Sequence, residues 1–253
     1  MKIAVSGKGG VGKTTISAYF ARRFAQEGYQ VYAVDADPDL SLGTVLGIES
    51  TDILKLKPIV DMREVIAAKS GGDGAFYSLN PDVDDVLDEY AINLGKIKFF
   101  KMGAVKQGGS ACYCRENTFL NSLMNSLLLN KKDVVVLDMG AGIEHLTRGT
   151  SKGVDCLVVV TEPTLVSVQT AQVVKKLAHE LEIKTIKFIG NKIRRPEEKE
   201  FLLKHLSEED LLGFVSYNQE MLDAALGIET GDGAVKFDQE MDKVFKNLVK
   251  YFS

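Results

Sequence analysis

Residues 7–14 read GKGGVGKT, and no other stretch of the chain constrains its fold as tightly. The octapeptide satisfies G-x-x-x-x-G-K-[ST] at every fixed position, with an apolar strand-like run before it and a helix-period segment after it. Glycines let backbone N–H groups turn inward around phosphates, and the helix that follows adds the positive potential of its N-terminus. Gly9, Gly10, Val11 and Gly12 therefore supply the cradle, Lys13 can reach the outer phosphates, the Thr14 hydroxyl suits Mg²⁺ and Thr15 suits the α-phosphate. A glycine-rich turn with an incidental lysine is the competing reading, and it does not account for eight ordered positions in this context.

A loop of this kind joins a buried strand to a helix, and the rest of the chain repeats that alternation. Runs at 2–5, 31–34, 134–137, 156–160 and 186–189 are rich in apolar residues, broken only by Lys2 and Lys187, as expected for buried parallel strands. Segments 14–26, 166–181 and 197–205 carry apolar residues at helical spacing, and crossovers between parallel strands return right-handed. The expected fold is therefore α/β, a doubly wound, mainly parallel sheet. With 253 residues and 45% apolar content the chain can bury one sizeable core, so a single domain is expected over 1–253. One stretch, 96–116, departs from the alternation with Gly103, Gly108, Gly109 and weak periodicity, and reads as a functional insertion.

Other function classes find little support. A net charge of -4, with Lys and Arg interspersed among acids, gives no global field for nucleic acid or anionic lipid. No apolar run approaches the ~20 residues of a membrane helix, and the chain opens directly on a strand, so a cytoplasmic location is expected. Residues 237–252 place Phe237, Met241, Val244, Phe245, Leu248 and Phe252 on one stripe. The polar face mixes Asp238, Glu240 and Asp242 with Lys243, Lys246 and Lys250, which favours docking on the sheet over seeking lipid.

Acidic residues cluster where parallel strands end. Asp35 and Asp37 follow the 31–34 run at the C-terminal edge, where open α/β sheets bind ligands; a polar turn stopped by Pro38 is the alternative. Asp138 follows the 134–137 run and precedes Met139, Gly140, Ala141 and Gly142. After the 186–189 run comes Gly190-Asn191-Lys192-Ile193-Arg194, in which Asn191 can bond an adenine or a guanine edge, or simply cap a helix. Guanine reading by an N-K-x-D pattern needs an acceptor carboxylate at position 194, and Arg194 can only donate, which argues for ATP.

The string KGGVGKTT resembles the deviant Walker A motif of the ATPase family that includes septum-site and plasmid-partition ATPases, arsenite-pump ATPases and the nitrogenase iron protein. From the residues alone, Lys8 is a positive charge near the front of the loop. The resemblance implies that Lys8 acts across a nucleotide-sandwich homodimer, neutralising charge on phosphates bound by the partner. It further implies Asp35 in the Mg²⁺ water shell, Asp37 orienting the attacking water, and Asp138 as a Walker B aspartate holding Mg²⁺ through water. Catalysis is then expected from Lys8, Lys13 and Asp37, with Asn191 and Lys192 on the nucleotide and Thr14, Asp35 and Asp138 toward Mg²⁺.

Three cysteines are too few for a disulfide scaffold. Cys112 and Cys114 flank one residue within the 96–116 stretch, and an extended backbone would aim both thiolates to one side, toward a soft ion. Two ligands leave a tetrahedral site incomplete, and a two-fold homodimer supplies the other two by symmetry; two plain exposed thiols are the alternative. Cys156 sits in an apolar run and reads as a small buried residue. Together with Gly142-Ile143-Glu144-His145 after the Walker B acid, the pair resembles the accessory ATPases of carbon monoxide dehydrogenase, the CooC-type nickel-insertion family, across essentially the whole chain. That resemblance implies a metallochaperone with carbon monoxide dehydrogenase as client and Ni²⁺ or Zn²⁺ at the thiolates, with His145 in switch II, in metal transfer or as an ordinary helix-start residue. The competing functions are a membrane- or DNA-associated positioning or partition ATPase, and an iron–sulfur reductase with a cluster held between subunits.

Overall fold

The computed structural model describes residues 1–37, 39–59, 89–102, 132–140, 154–225 and 233–252. Five apolar runs form the strands expected of them, each longer than its apolar centre: β1 (Lys2–Gly7), β2 (Gln30–Ala36), β5 (Asp133–Met139), β6 (Cys156–Thr161) and β7 (Thr185–Ile193). Three more strands join them, β3 (Ile92–Leu94), β4 (Ile97–Lys101) and β8 (Leu211–Ser216). The order is β3-β4-β2-β5-β1-β6-β7-β8. Every pairing is parallel except β3 with β4, an antiparallel edge. β1 lies between β5 and β6, so the chain reverses direction across the sheet beside the phosphate loop, the usual ligand position in such sheets.

The helices are α1 (Lys13–Gln26), α2 (Ser41–Val45), α3 (Ser50–Lys55), α4 (Leu165–Glu180), α5 (Pro196–His205), α6 (Gln219–Ala225) and α7 (Gly233–Val249). Because side chains alternate along a strand, each central strand feeds two cores. Ile3, Val5, Val134, Val136 and Val158 pack with Phe20 and Phe24 of α1 and Met241, Val244 and Leu248 of α7. Ala4, Val135, Leu137, Leu157 and Val159 pack with Val168, Ala171 and Val174 of α4 and Leu202 of α5. A sheet covered on both faces needs strands without polar interruption, which is why periodicity of two was absent from these runs.

The stretch 96–116 needs correcting at its start. Ile97–Lys101 is β4, an ordinary sheet strand whose Phe99 and Phe100 are buried on opposite faces. The lysines around IKFFK disguised it. Lys101 is buried and donates from Nζ to the carbonyls of Ile53 (2.8 Å) and Leu54 (3.2 Å), at the end of α3, so its charge sits among acceptors. Cys112 and Cys114 lie outside the described residues.

The C-terminal helix docks on the sheet as its mixed-charge face suggested. Phe245 meets Phe24 edge-on with centroids 4.7 Å apart. Asp242 Oδ1 accepts from the Tyr19 hydroxyl (2.7 Å) and from Arg23 Nε (2.9 Å). Among the described residues no helix is long and apolar enough to cross a membrane.

Gly7 closes β1 at φ 144, and a methyl group on it would strike the Val160 carbonyl oxygen of the paired strand β6. Gly7→Ala should destabilise the fold by about 3 kcal/mol, because backbone on both sides must move. For a chain of this size that is a fall in Tm of about 6–12 °C, and a thermal melt showing less than about 2 °C would contradict the close approach.

Candidate nucleotide-binding site

The C-terminal ends of β1, β2, β5, β6 and β7 converge on one edge, and the expected residues arrive there from β1, β2, β5 and β7. The phosphate loop leaves β1 and enters α1 through Gly10 (φ 79) and Gly12 (φ 97), left-handed conformations that glycine adopts without penalty. The loop borders a cleft of about 460 Å³ lined by Gly9, Gly10, Gly12, Lys13 and Thr14, and across from them by Asp37 and Gly140. Asp39, at the end of the acidic stretch after β2, also lines it, with Ser41 and Val45, which no motif marked. They belong to the turn after β2 and to α2, and only the path of the chain brings them to the cleft.

Within the loop, Val11 is fully buried, its side chain in the core. Lys13 is nearly buried, with Nζ donating to the Lys8 carbonyl oxygen at 3.3 Å. The Lys8 ammonium has no hydrogen bond or ion pair among the described residues. Thr14 and Thr15 are half-buried on the first turn of α1.

Asp35 and Asp138 are neighbours in register on β2 and β5, and both are fully buried. Asp35 Oδ2 accepts from the Leu42 backbone N–H (2.9 Å) and Oδ1 from that of Asp37 (3.2 Å). Burial pushes the Asp35 carboxyl up to about 7, the Leu42 N–H opposing this and the Asp138 charge adding to it. Asp138 Oδ1 accepts from the Ser17 hydroxyl at 2.9 Å. Burial raises its pKa too, against the hydroxyls of Thr14 and Ser17 and the charge of Lys13, which favour the anion. Ser17, one turn beyond Thr14, carried no signal in the sequence.

Asp138 Oδ2 is buried and has no hydrogen-bond partner among the described residues. An orphan carboxylate oxygen beside a second buried carboxyl and the Thr14 hydroxyl fits a hydrated Mg²⁺, which binds through one or two carboxylates, its own waters and substrate phosphates. Among the described residues no group of three or more His, Cys, Asp or Glu side chains could hold a metal by itself.

Asn191 and Lys192 lie inside β7, not after it, because the strand runs on to Ile193. Both side chains point at the phosphate loop: Asn191 Nδ2 donates to the Val11 carbonyl oxygen at 2.7 Å and Lys192 Nζ to that of Gly10 at 2.5 Å. A methyl group on Gly12 would stand 2.5 Å from Asn191 Nδ2, so that glycine is required for the approach. Arg194 stacks its guanidinium 4.1 Å from the centroid of the Tyr217 ring and offers no acceptor.

The CobQ/CobB/MinD/ParA nucleotide binding domain family matches residues 2–105. The carbon monoxide dehydrogenase accessory protein CooC of Rhodospirillum rubrum is 41% identical over 221 residues, covering 86% of this chain and 84% of that protein. The chain belongs to the CooC-containing family of deviant Walker A ATPases. Another member, an uncharacterised ATP-binding protein of Methanocaldococcus jannaschii, is 38% identical over 99% of this chain and 98% of its own length. Among solved structures, the septum site-determining protein MinD complexed with Mg-ADP from Pyrococcus horikoshii aligns with a TM-score of 0.67 at 21% identity, over 100% of this chain and 97% of that one. That likeness shows a shared fold. As a member of the family, the chain is a P-loop ATPase that binds ATP.

Proposed function

We propose that this ATPase is a metallochaperone: a homodimer that couples Mg-ATP binding and hydrolysis to delivery of nickel into the active-site cluster of carbon monoxide dehydrogenase. The observation that carries the reading is the 41% identity to an accessory protein of that dehydrogenase along most of both chains. The closely spaced Cys112 and Cys114 support it by supplying soft ligands that an ATPase has no need of.

In this reading Thr14, Asp35 and Asp138 would hold Mg²⁺, which would screen charge on the phosphates. Asp37 borders the cleft and has one carboxylate oxygen engaged by the Asp39 N–H at 3.0 Å, which fixes it while the other orients water toward the γ-phosphorus. Lys13 neutralises the phosphates from within the subunit. Lys8 does so from the partner, completing each site only when two subunits close. Nickel, or zinc competing for the same ligands, is cargo held by Cys112 and Cys114 of both subunits, and closure on ATP alters the geometry of those four thiolates.

Equilibrium dialysis of the purified protein against Ni²⁺ and Zn²⁺ tests this. About one ion per dimer is expected, falling to none in Cys112→Ser and in Cys114→Ser, since two remaining thiolates hold a divalent ion weakly. Unchanged stoichiometry in both variants would remove the metal from the proposal while leaving the ATPase intact.

A further inference from the structure

Lys192 is a lysine in the left-handed region, φ 60, within a strand. The β7–β8 ladder shifts register between Gly190 and Ile193, and this bulge redirects the side chain toward the phosphate loop. Glycine or asparagine suits such a backbone better than lysine does, so the position retains a side chain at a conformational cost. That side chain reaches the Gly10 carbonyl oxygen (2.5 Å) and lies 3.6 Å from Glu162 Oε2. Glu162 follows β6 directly and is itself fixed, its backbone N–H donating to the Ser167 hydroxyl at 3.1 Å. Asn191, the preceding residue, engages the next carbonyl of the loop, that of Val11.

The two carbonyls are consecutive, and this matters because a C=O and the following N–H share one trans peptide plane and point opposite ways. Drawing the Gly10 and Val11 carbonyls toward β7 turns the N–H groups of Val11 and Gly12 away from it. We propose that Asn191 and Lys192, with Glu162 orienting the lysine, form a brace that holds the amides of the phosphate loop in their binding orientation and so sets how long nucleotide stays bound. Lys192 is thereby a positioning residue, working through the loop backbone. The loop does not have to pay the entropy of ordering at each binding event, and loosening it speeds release more than it slows capture.

Stopped-flow release of mant-ADP from the full-length protein measures the effect. Lys192→Met should accelerate release roughly 10–100-fold, the range for loss of a charge-assisted hydrogen bond. Lys192→Gly removes the same contact but relieves the backbone, so it should release as fast with a melting temperature at or above wild type. Lys192→Arg should restore most of the residence time, and Glu162→Gln should fall between. Inorganic pyrophosphate, which carries no base or sugar, should compete less well in Lys192→Met and Lys192→Gly by a factor similar to that for mant-ADP. Release within twofold of wild type in both variants would overturn the brace. So would faster mant-ADP release with unaltered pyrophosphate competition, which would place Lys192 on the base or ribose.

Discussion

Lys8→Ala and Lys13→Ala should each lower ATP turnover about a thousandfold, and equal mixtures of the two should recover roughly a quarter of wild-type activity. The two lysines sit five positions apart and are chemically alike, but the structure treats them differently. Lys13 is nearly buried under the loop and donates to the Lys8 carbonyl, so its loss should also weaken nucleotide binding. The Lys8 ammonium has no partner among the described residues, so Lys8→Ala should bind nucleotide within about threefold of wild type. In the proposed dimer, a Lys8→Ala subunit keeps an intact phosphate loop and receives Lys8 from a Lys13→Ala partner. Half the dimers in an equal mixture are mixed, and each has one complete site. Measured turnover of the mixture that stays at the level of its components would mean Lys8 does not act across subunits.

Asp35→Asn should lower turnover about a hundredfold and, without nucleotide or Mg²⁺, raise stability at pH 8 but not at pH 5. Asp35 has a folded-state pKa of about 7 against an ordinary 3.8, the main cause being burial and the next the opposing Leu42 N–H. The folded protein thus binds the proton more tightly than the unfolded chain, and the associated stability is present in full below about pH 4 and lost as pH rises through 7. At pH 8 the ionised carboxylate costs up to about 4 kcal/mol. An amide avoids that cost while keeping an acceptor for Leu42, although it loses the bond from Asp37, so the net gain should be about 2 kcal/mol. Urea titrations at the two pH values read the difference. A variant less stable than wild type at pH 8 would mean that Asp35 is held as a comfortable anion. The exchange is the usual one at a metal-assisted site, where like charges wait for a cation at the expense of the free protein's stability.

Much of this could be read before any coordinates. The eight residues of the phosphate loop placed a strand, a turn and a helix in order, and five short apolar runs gave the central strands. What escaped had a local reason. β8 is half-exposed and edge-placed, and Gly213 at φ 155 weakens its pattern. β4 carries lysines, one of them held by carbonyls of a helix more than forty residues earlier. Ser17 and Ser41 are ordinary serines until the chain folds, one meeting Asp138 across 121 positions and the other arriving at the cleft with α2.

By itself, the order of residues determined the phosphate loop, the sheet class and the candidate phosphate-binding side chains, because those depend on contacts within a few residues and on apolar period. Tertiary structure alone decided what Asp35, Asp138, Asn191 and Lys192 touch. Proximity across more than a hundred residues sets the burial that raises the two carboxyls, and the bulge in β7 turns two residues expected at the nucleotide onto the backbone that would hold it.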